Sequence, residues 1–429
     1  MIDINLIRTN KEIVKANIKK KFQDDKIPLV DEVEALDKTL RSLKQEGDNL
    51  RASRNTLSSQ IGMLMREKKI EEANAIKEQV RKNNERISQI EQEEVVVAEK
   101  IKTIMMKIPN IIDDSVPIGK DDNENIQIKT VGEAKIPDFE IPYHSDIMDK
   151  FNGLDKESSG RTSGNGFYYL MGDIARLHSA ILTYARDFMI DQGFTYCIPP
   201  FMIRSDVVSG VMSFAEMEDM MYKIEGEDLY LIGTSEHSVI GKFKGQIVAA
   251  QELPVMITSY SPCFRKEVGS HGIEERGIYR VHQFEKQEMI VLCKPEDSMK
   301  WFEKMCQISS DFFKSLDIPH EIMECCSGDL ADLKVKSCDI NAWSPRQQKY
   351  FGELGSCSTL GDAQARRLGI RAKGENGTYY LHTLNNTVVA PPRMLIAFLE
   401  NNLNKDSSIN IPVALRPYMG GKEKLVPKK

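Results

Sequence analysis

From Leu29 onward, apolar residues return at alternating steps of four and three: Leu29, Val33, Leu36, Leu40, Leu43, Leu50, Leu57, Ile61 and Leu64. Gly47 and Arg54 stand where the series skips a step. A seam with this repeat, held over five heptads, restricts the segment to a long helix that hides one narrow stripe. A second seam follows through Ala73, Ile76, Val80, Ile87, Ile90, Val97, Ile101, Ile104 and Ile108, with Asn83 and Glu94 at its skipped steps. The polar stretch MREKKIEEAN joins the two. Two helices of matched length and a short connection fold back as an antiparallel hairpin, here expected over about residues 27–106. At 1.5 Å per residue each helix is roughly 50 Å long, more than a compact domain needs. The same stripe suits a dimerising coiled coil, but the tight connection favours an arm built within one chain.

Beyond residue 108 the period is lost. Residues 109–136 carry prolines and acidic clusters with no repeat and read as a linker or meandering loop. From 137 short β-like runs appear, FTYCIPPFMI, LYLIGTSEHSVI, VMITSYSPCF and IYRVHQFEKQEMIVLC among them, with helical patterns set apart from them. One such helix, GDIARLHSAILTYARDFMIDQG, places Ile174, Leu177, Ile181, Leu182, Ala185 and Met189 on one face and ends at Gly193. Strands following strands, with helices segregated, predict an α+β fold on an antiparallel sheet. A chain of 429 residues has room for such a domain beside the arm.

The composition narrows the class. A net charge of −6 gives no global nucleic-acid signature, so any site for a polyanion must be local. No run of eighteen apolar residues suggests a membrane span, and MIDINLIRTNKEIVK has no apolar core of a secretory signal. All eight cysteines follow residue 196 and none forms a CxxC pair, which fits reduced thiols in a cytoplasmic protein.

Charge concentrates in FRKEVGSHGIEERGIYRVHQFEKQE, residues 264–288. Read as a hairpin, it would hold Arg265 and Glu267 together on one strand, Arg276 in the loop, and Arg280, His282, Phe284, Lys286 and Glu288 alternating along the return. The arginines offer forked donors for phosphate oxygens, the carboxylates accept from amino groups, and Phe284 offers a face to a planar ring. An exposed hairpin laced with ion pairs has the same appearance. Near the carboxyl end, NNTVVAPPRMLIAFLENN sets Arg393 in the first turn of an amphipathic helix, where Pro391 and Pro392 cost no hydrogen bond. Glu353 and Ser356 in FGELGSCSTLGDAQARR add hard oxygens suited to magnesium and phosphate.

These stretches resemble the signatures of class II aminoacyl-tRNA synthetases, and specifically of the seryl-tRNA synthetases. FRKEVGS…ERGIYRVHQFEKQE resembles motif 2 and NNTVVAPPRMLIAFLEN motif 3. GFTYCIPPF resembles motif 1, with Pro200 at a dimer interface. GTSEHS is similar to the family's Thr-x-Glu loop and RPYMGG to its closing signature, so the likeness spans essentially the whole chain. The resemblance implies a tRNA-binding domain over 1–108, a linker over 109–136 and a class II catalytic domain over 137–429. It implies ATP and Mg²⁺ as cofactors, L-serine and tRNA(Ser) as substrates, tRNA(Sec) as a second candidate, and a homodimer in the cytoplasm. By the same resemblance Arg265 would hold the ATP α-phosphate and the serine carboxylate. Glu267 would accept from the adenine amino group, Phe284 would stack on the ring, and Arg393 would cover its other face and meet the γ-phosphate. Glu353 and Ser356 would hold Mg²⁺. Thr234, Glu236, Glu288 and Thr387 would take the serine ammonium and hydroxyl. Val388, Pro392 and the TSE and ELGSCST variants depart from the family pattern without removing a charged group. Two rival activities share these residues: a ligase that loads a small amino acid onto a carrier protein, and a catalytically impaired tRNA-binding paralogue.

Overall fold

The computed structural model describes residues 1–267 and 277–427, apart from the side chains at 214 and 215. Arg276 lies outside the described residues. By its internal contacts the chain divides into two compact units, one spanning Ile2–Pro109 and the other running from Asn110.

In the first unit α1 (Ile4–Lys20) precedes α2 (Ile27–Arg66) and α3 (Ile70–Met105). The hairpin expected from the heptads forms, and its connection is only Glu67–Lys69, with Lys68 in the left-handed region at φ 61°. The seam lies where the pattern put it: Val33, Leu43, Ala73, Ile87, Ile90 and Ile101 are buried. Gly47 is buried in the seam, facing Ile90 on α3, where a Cβ would make an ordinary contact at 3.5 Å. Buried Asn83 donates to Ser53 at 3.4 Å across the seam. Arg86–Glu46 and Arg51–Glu91 tie the helices at the rim, at 2.7 and 3.1 Å. Arg8 on α1 binds buried Asp37 on α2 through two nitrogens, at 2.9 and 2.7 Å.

The second unit is built on an eight-stranded sheet. Its strands are β1 (Ile126–Val131), β2 (Thr195–Cys197), β3 (Val255–Phe264), β4 (Gln283–Cys293), β5 (His320–Glu324), β6 (Lys336–Ser344), β7 (Lys349–Thr359) and β8 (His382–Val389). They lie in the order β1-β5-β6-β7-β8-β4-β3-β2, and all neighbours are antiparallel except β2 beside β3. Three helices, α4 (Gly172–Asp191), α6 (Ser298–Ser315) and α7 (Pro391–Asn402), cover it, with a short α5 (Ser235–Gly241) between β2 and β3 in sequence. The predicted face of α4 enters one large core with Phe312, Phe313, Leu384, Val388 and Phe398. Gly193 ends α4 as expected, at φ 85°, its N–H donating to Ile190.

Two expectations are corrected here. The stretch 109–136, read as lacking structure, contains β1, which pairs with β5 at the sheet edge. Five of its six residues are exposed and a register slip interrupts it, so the brief Ile-Gln-Ile-Lys alternation at its start buries no face that would set it apart from a loop. Second, the hairpin over 264–288 is shorter than read: β3 ends at Phe264 and β4 begins at Gln283. One further ladder bond follows, Arg265 N–H to His282 O at 2.9 Å. The Arg265 carbonyl then meets the His282 ring at 3.0 Å rather than a backbone donor. Arg265, Glu267, Arg280 and His282 therefore leave the sheet, and Glu267 takes a positive φ of 46°.

Candidate active site

The central strands β7, β8 and β4 bring the predicted residues to two adjoining cavities. The first is lined by Arg265, Glu267, Tyr279, Phe284, Glu353 and Arg393 among others. The second, of about 380 Å³, is lined by Thr234, Glu236, Arg265, Glu288, Glu353, Ser356 and Thr387 among others. Arg265, Lys286, Glu353 and Thr387 belong to both, so they form the shared wall. Pro200 stands apart, exposed in the segment after β2.

In the first cavity the Arg265 guanidinium lies over the Phe284 ring, 5.2 Å from its centre, and its Nε donates to the Gly233 carbonyl at 3.2 Å. Glu267 faces Arg280 at 3.5 Å. Arg393 occupies the third position of α7, behind Pro391 and Pro392. Its Nη1 donates to the Glu353 carbonyl and carboxylate at 3.0 and 3.1 Å, and its guanidinium covers Tyr279 at 4.8 Å. Burial works against ionisation of Glu353, but Arg393, Lys334 and Arg265 outweigh it and hold the carboxyl below its ordinary value.

Glu353 and Ser356 are three apart, which in a regular strand puts them on opposite faces. The pairing of β6 with β7 slips between Ile340–Gly355 and Asn341–Glu353, leaving Leu354 as an extra residue. This bulge brings both side chains to the second cavity. Asp339 pairs with Ser356 across the ladder, and burial together with the Glu353 charge pushes its carboxyl up to about 6. Carboxylate and hydroxyl oxygens on adjacent strands suit a hard divalent cation, so the donor set fits Mg²⁺.

The second cavity holds a buried acceptor network. Thr234 caps α5 and donates from Oγ1 to Glu288 Oε1 at 3.0 Å. Lys286 also meets Glu288 Oε1. Glu288 Oε2, on a residue 3% exposed, has no hydrogen-bond partner among the described residues. Thr387 stands directly opposite Glu288 in the ladder. Glu236 accepts from Gln364 Nε2 at 2.8 Å, and burial with the nearby Glu288 charge raises its pKa. A fixed guanidinium beside one unmet carboxylate oxygen suits a small zwitterion with a further polar group.

Comparison with known proteins decides the family. The curated serine–tRNA ligase of Thermococcus sibiricus is 40% identical, over 99% of this chain and 97% of that protein. The chain belongs to the seryl-tRNA synthetase family. The Methanocella arvoryzae serine–tRNA ligase is 39% identical, over 99% of this chain and all of that one. Residues 1–112 match the seryl-tRNA synthetase N-terminal domain and 220–402 the class II synthetase core domain for G, H, P, S and T. The crystal structure of the Pyrococcus horikoshii seryl-tRNA synthetase complexed with ATP superposes over the whole of both chains, with a TM-score of 0.95 at 37% identity. The Naegleria fowleri cytoplasmic serine–tRNA ligase in complex with AMP gives 0.90 at 30%. Within this synthetase site, Lys286, Tyr279, Lys334, Asp339 and Gln364 take part without having been assigned a role from sequence. Lys286 had a signal, since it alternates between Phe284 and Glu288 on the motif 2 return, and Tyr279 stands in the same motif; Lys334 and Asp339 lie in none of the quoted stretches.

Proposed function

We propose that the chain activates L-serine with ATP to seryl-adenylate, releasing pyrophosphate, and transfers serine to the 3′ end of tRNA(Ser). The observation that carries this reading is the shared wall, where Arg265 faces both cavities. The first cavity takes ATP, with Phe284 against the adenine, Glu267 at its amino group and Arg393 at its other face and the γ-phosphate. The second takes serine, with Thr234, Glu236, Glu288 and Thr387 at the ammonium and hydroxyl. Arg265 then grips the serine carboxylate and the α-phosphate together. A carboxylate oxygen forms the new bond to phosphorus while the bond to the pyrophosphate oxygen breaks. The nucleophile carries no proton, so this step needs no general base; positioning and charge neutralisation suffice. In the second step a terminal ribose hydroxyl takes the seryl group and AMP leaves. Mg²⁺, when bound, would offset phosphate charge, with Glu353 and Ser356 as its ligands.

The arm is proposed to recognise tRNA by shape and phosphate contact rather than by base readout, and tRNA(Sec) is a second substrate on the same ground. Carrier-protein loading gives such an arm no task. We further propose a homodimer built at the motif 1 segment, where exposed Pro200 is flanked by Ile198 and Met202, 62% and 46% exposed. Eight unbridged cysteines fit the cytoplasm. Among the described residues no helix is long and apolar enough to cross a membrane. The test is serine-dependent ATP–pyrophosphate exchange, which Arg265→Ala should reduce by at least 100-fold, roughly the cost of losing a charged transition-state contact. Undiminished exchange in that variant would refute the assignment of Arg265.

A further inference from the structure

The strands β3 and β4 separate just where Arg265 leaves the sheet. Its N–H makes the last ladder bond, to the His282 carbonyl at 2.9 Å. Among the described residues no backbone N–H meets the Arg265 carbonyl in return. The His282 ring meets it instead, with Nδ1 3.0 Å from the oxygen. A carbonyl oxygen only accepts, so Nδ1 carries the proton and donates.

The ring is itself held on several sides. His282 N–H donates to the Gly166 carbonyl at 2.8 Å. Gly166 stands at φ 79°, and a Cβ on it would come within 2.4 Å of the imidazole, so glycine is what lets the ring lie there. Phe167 packs against the ring with centres 5.3 Å apart. The Tyr222 hydroxyl oxygen, 3.2 Å from Nδ1, is a second acceptor for the same proton. The Arg265 side chain is fixed separately, by the Gly233 carbonyl and the Phe284 ring. His282 lines neither the nucleotide cavity nor the serine cavity, so it reaches the substrates only through its neighbour.

We propose that His282 is a positioning residue for adenylate formation: by holding the Arg265 carbonyl where the ladder has ended, it sets where the guanidinium stands between the two cavities. A group that grips two reactants at once tolerates little displacement, and a shift of about 1 Å costs up to about 100-fold in rate. The inference rests on the role of Arg265 given above.

The test contrasts two amides at this position. In His282→Asn the amide nitrogen takes the place of Nδ1, whereas in His282→Gln it lies one carbon farther out, towards the place of Nε2. Rates of serine-dependent pyrophosphate exchange are normalised to the folded fraction read from urea unfolding, so molecules that fail to fold drop out. His282→Asn should keep kcat within about twofold of wild type, and so should Tyr222→Phe, which leaves the carbonyl bond intact. His282→Gln should lose about 10- to 100-fold in kcat with little change in KM for ATP or serine. In an Arg265→Ala background His282→Gln should cost no more than about twofold further, because its effect runs through a side chain no longer there. The proposal is overturned if Asn and Gln behave alike, as packing alone would have it, or if the Gln loss appears in KM rather than kcat. It is equally overturned if Gln costs as much without the Arg265 side chain as with it. Failure of the Arg265 assignment is distinct: Arg265→Ala alone would then exchange at the wild-type rate, whatever is placed at 282.

Discussion

Glu288 Oε2 is buried and unmet by any described group, while its partner oxygen is held by Thr234 and Lys286. Burying a carboxylate oxygen in that state costs on the order of 1–3 kcal/mol, a cost a bound ammonium or hydroxyl removes. Thr387, opposite it in the ladder, is the residue proposed to give the serine hydroxyl its second contact. Thr387→Val should therefore lower exchange with serine about 10- to 100-fold and leave exchange with alanine untouched, because a site built for a hydroxyl discriminates through groups that alanine leaves unpaired. Equal losses for the two amino acids, in steady-state exchange assays, would mean that Thr387 only supports the fold. The charged residues of this site were legible because forked donors and carboxylates stand in named motifs. Tyr279 and Lys334 were not, since an aromatic or lysine between strands looks the same in sequence whether it lines a cavity or a surface.

At the scale of elements, the arm was the most legible part, because the heptad period fixes both the helices and the face they hide. One skipped step was informative too: Asn83 marks a bond across the seam. Basic residues along the arm that could meet phosphates are held by exposed carboxylates on the arm itself, as with Lys38–Glu34 and Arg81–Glu78. Exposed pairs of this kind are weak and screened, so they exchange readily for phosphate. Removing residues 30–104 should leave pyrophosphate exchange within about twofold of wild type and reduce tRNA charging by at least 100-fold, since phosphate contacts supply much of the affinity. Charging at the wild-type rate and salt dependence would remove the arm from tRNA binding. What the sequence hid at this scale were irregularities. The extra Leu354, which turns Glu353 toward Ser356, has no compositional mark, and β1, exposed at five of six residues, buries no apolar face that would distinguish it from a loop.

The whole molecule carries a pH dependence of known sign. Burial pulls the imidazoles of His178, His237, His320 and His382 below their ordinary value, that of His237 to about 3. A folded-state pKa below the unfolded value of about 6.5 makes the stabilisation complete above that pH and erodes it as pH falls, by up to about 1.4 kcal/mol per unit for each histidine. The raised carboxyls of Glu236 and Asp339 act in the opposite sense, that of Asp339 between about pH 4 and 6, and they are fewer. Urea melts should show stability level above about pH 7 and declining as pH falls through 6.5; a flat profile from pH 8 to 5 would show these histidines to be solvated. The motif 1 apolar residues predict a dimer by light scattering, which Ile198→Asp should split by placing a charge in a dry interface. Beneath all of this lies one claim, that Arg265 joins a nucleotide cavity to a serine cavity. Pyrophosphate exchange measured across the twenty amino acids tests it most directly. The account predicts exchange with serine far above every other amino acid, and its collapse in Arg265→Ala; a different preferred amino acid, or exchange that survives the substitution, would contradict it.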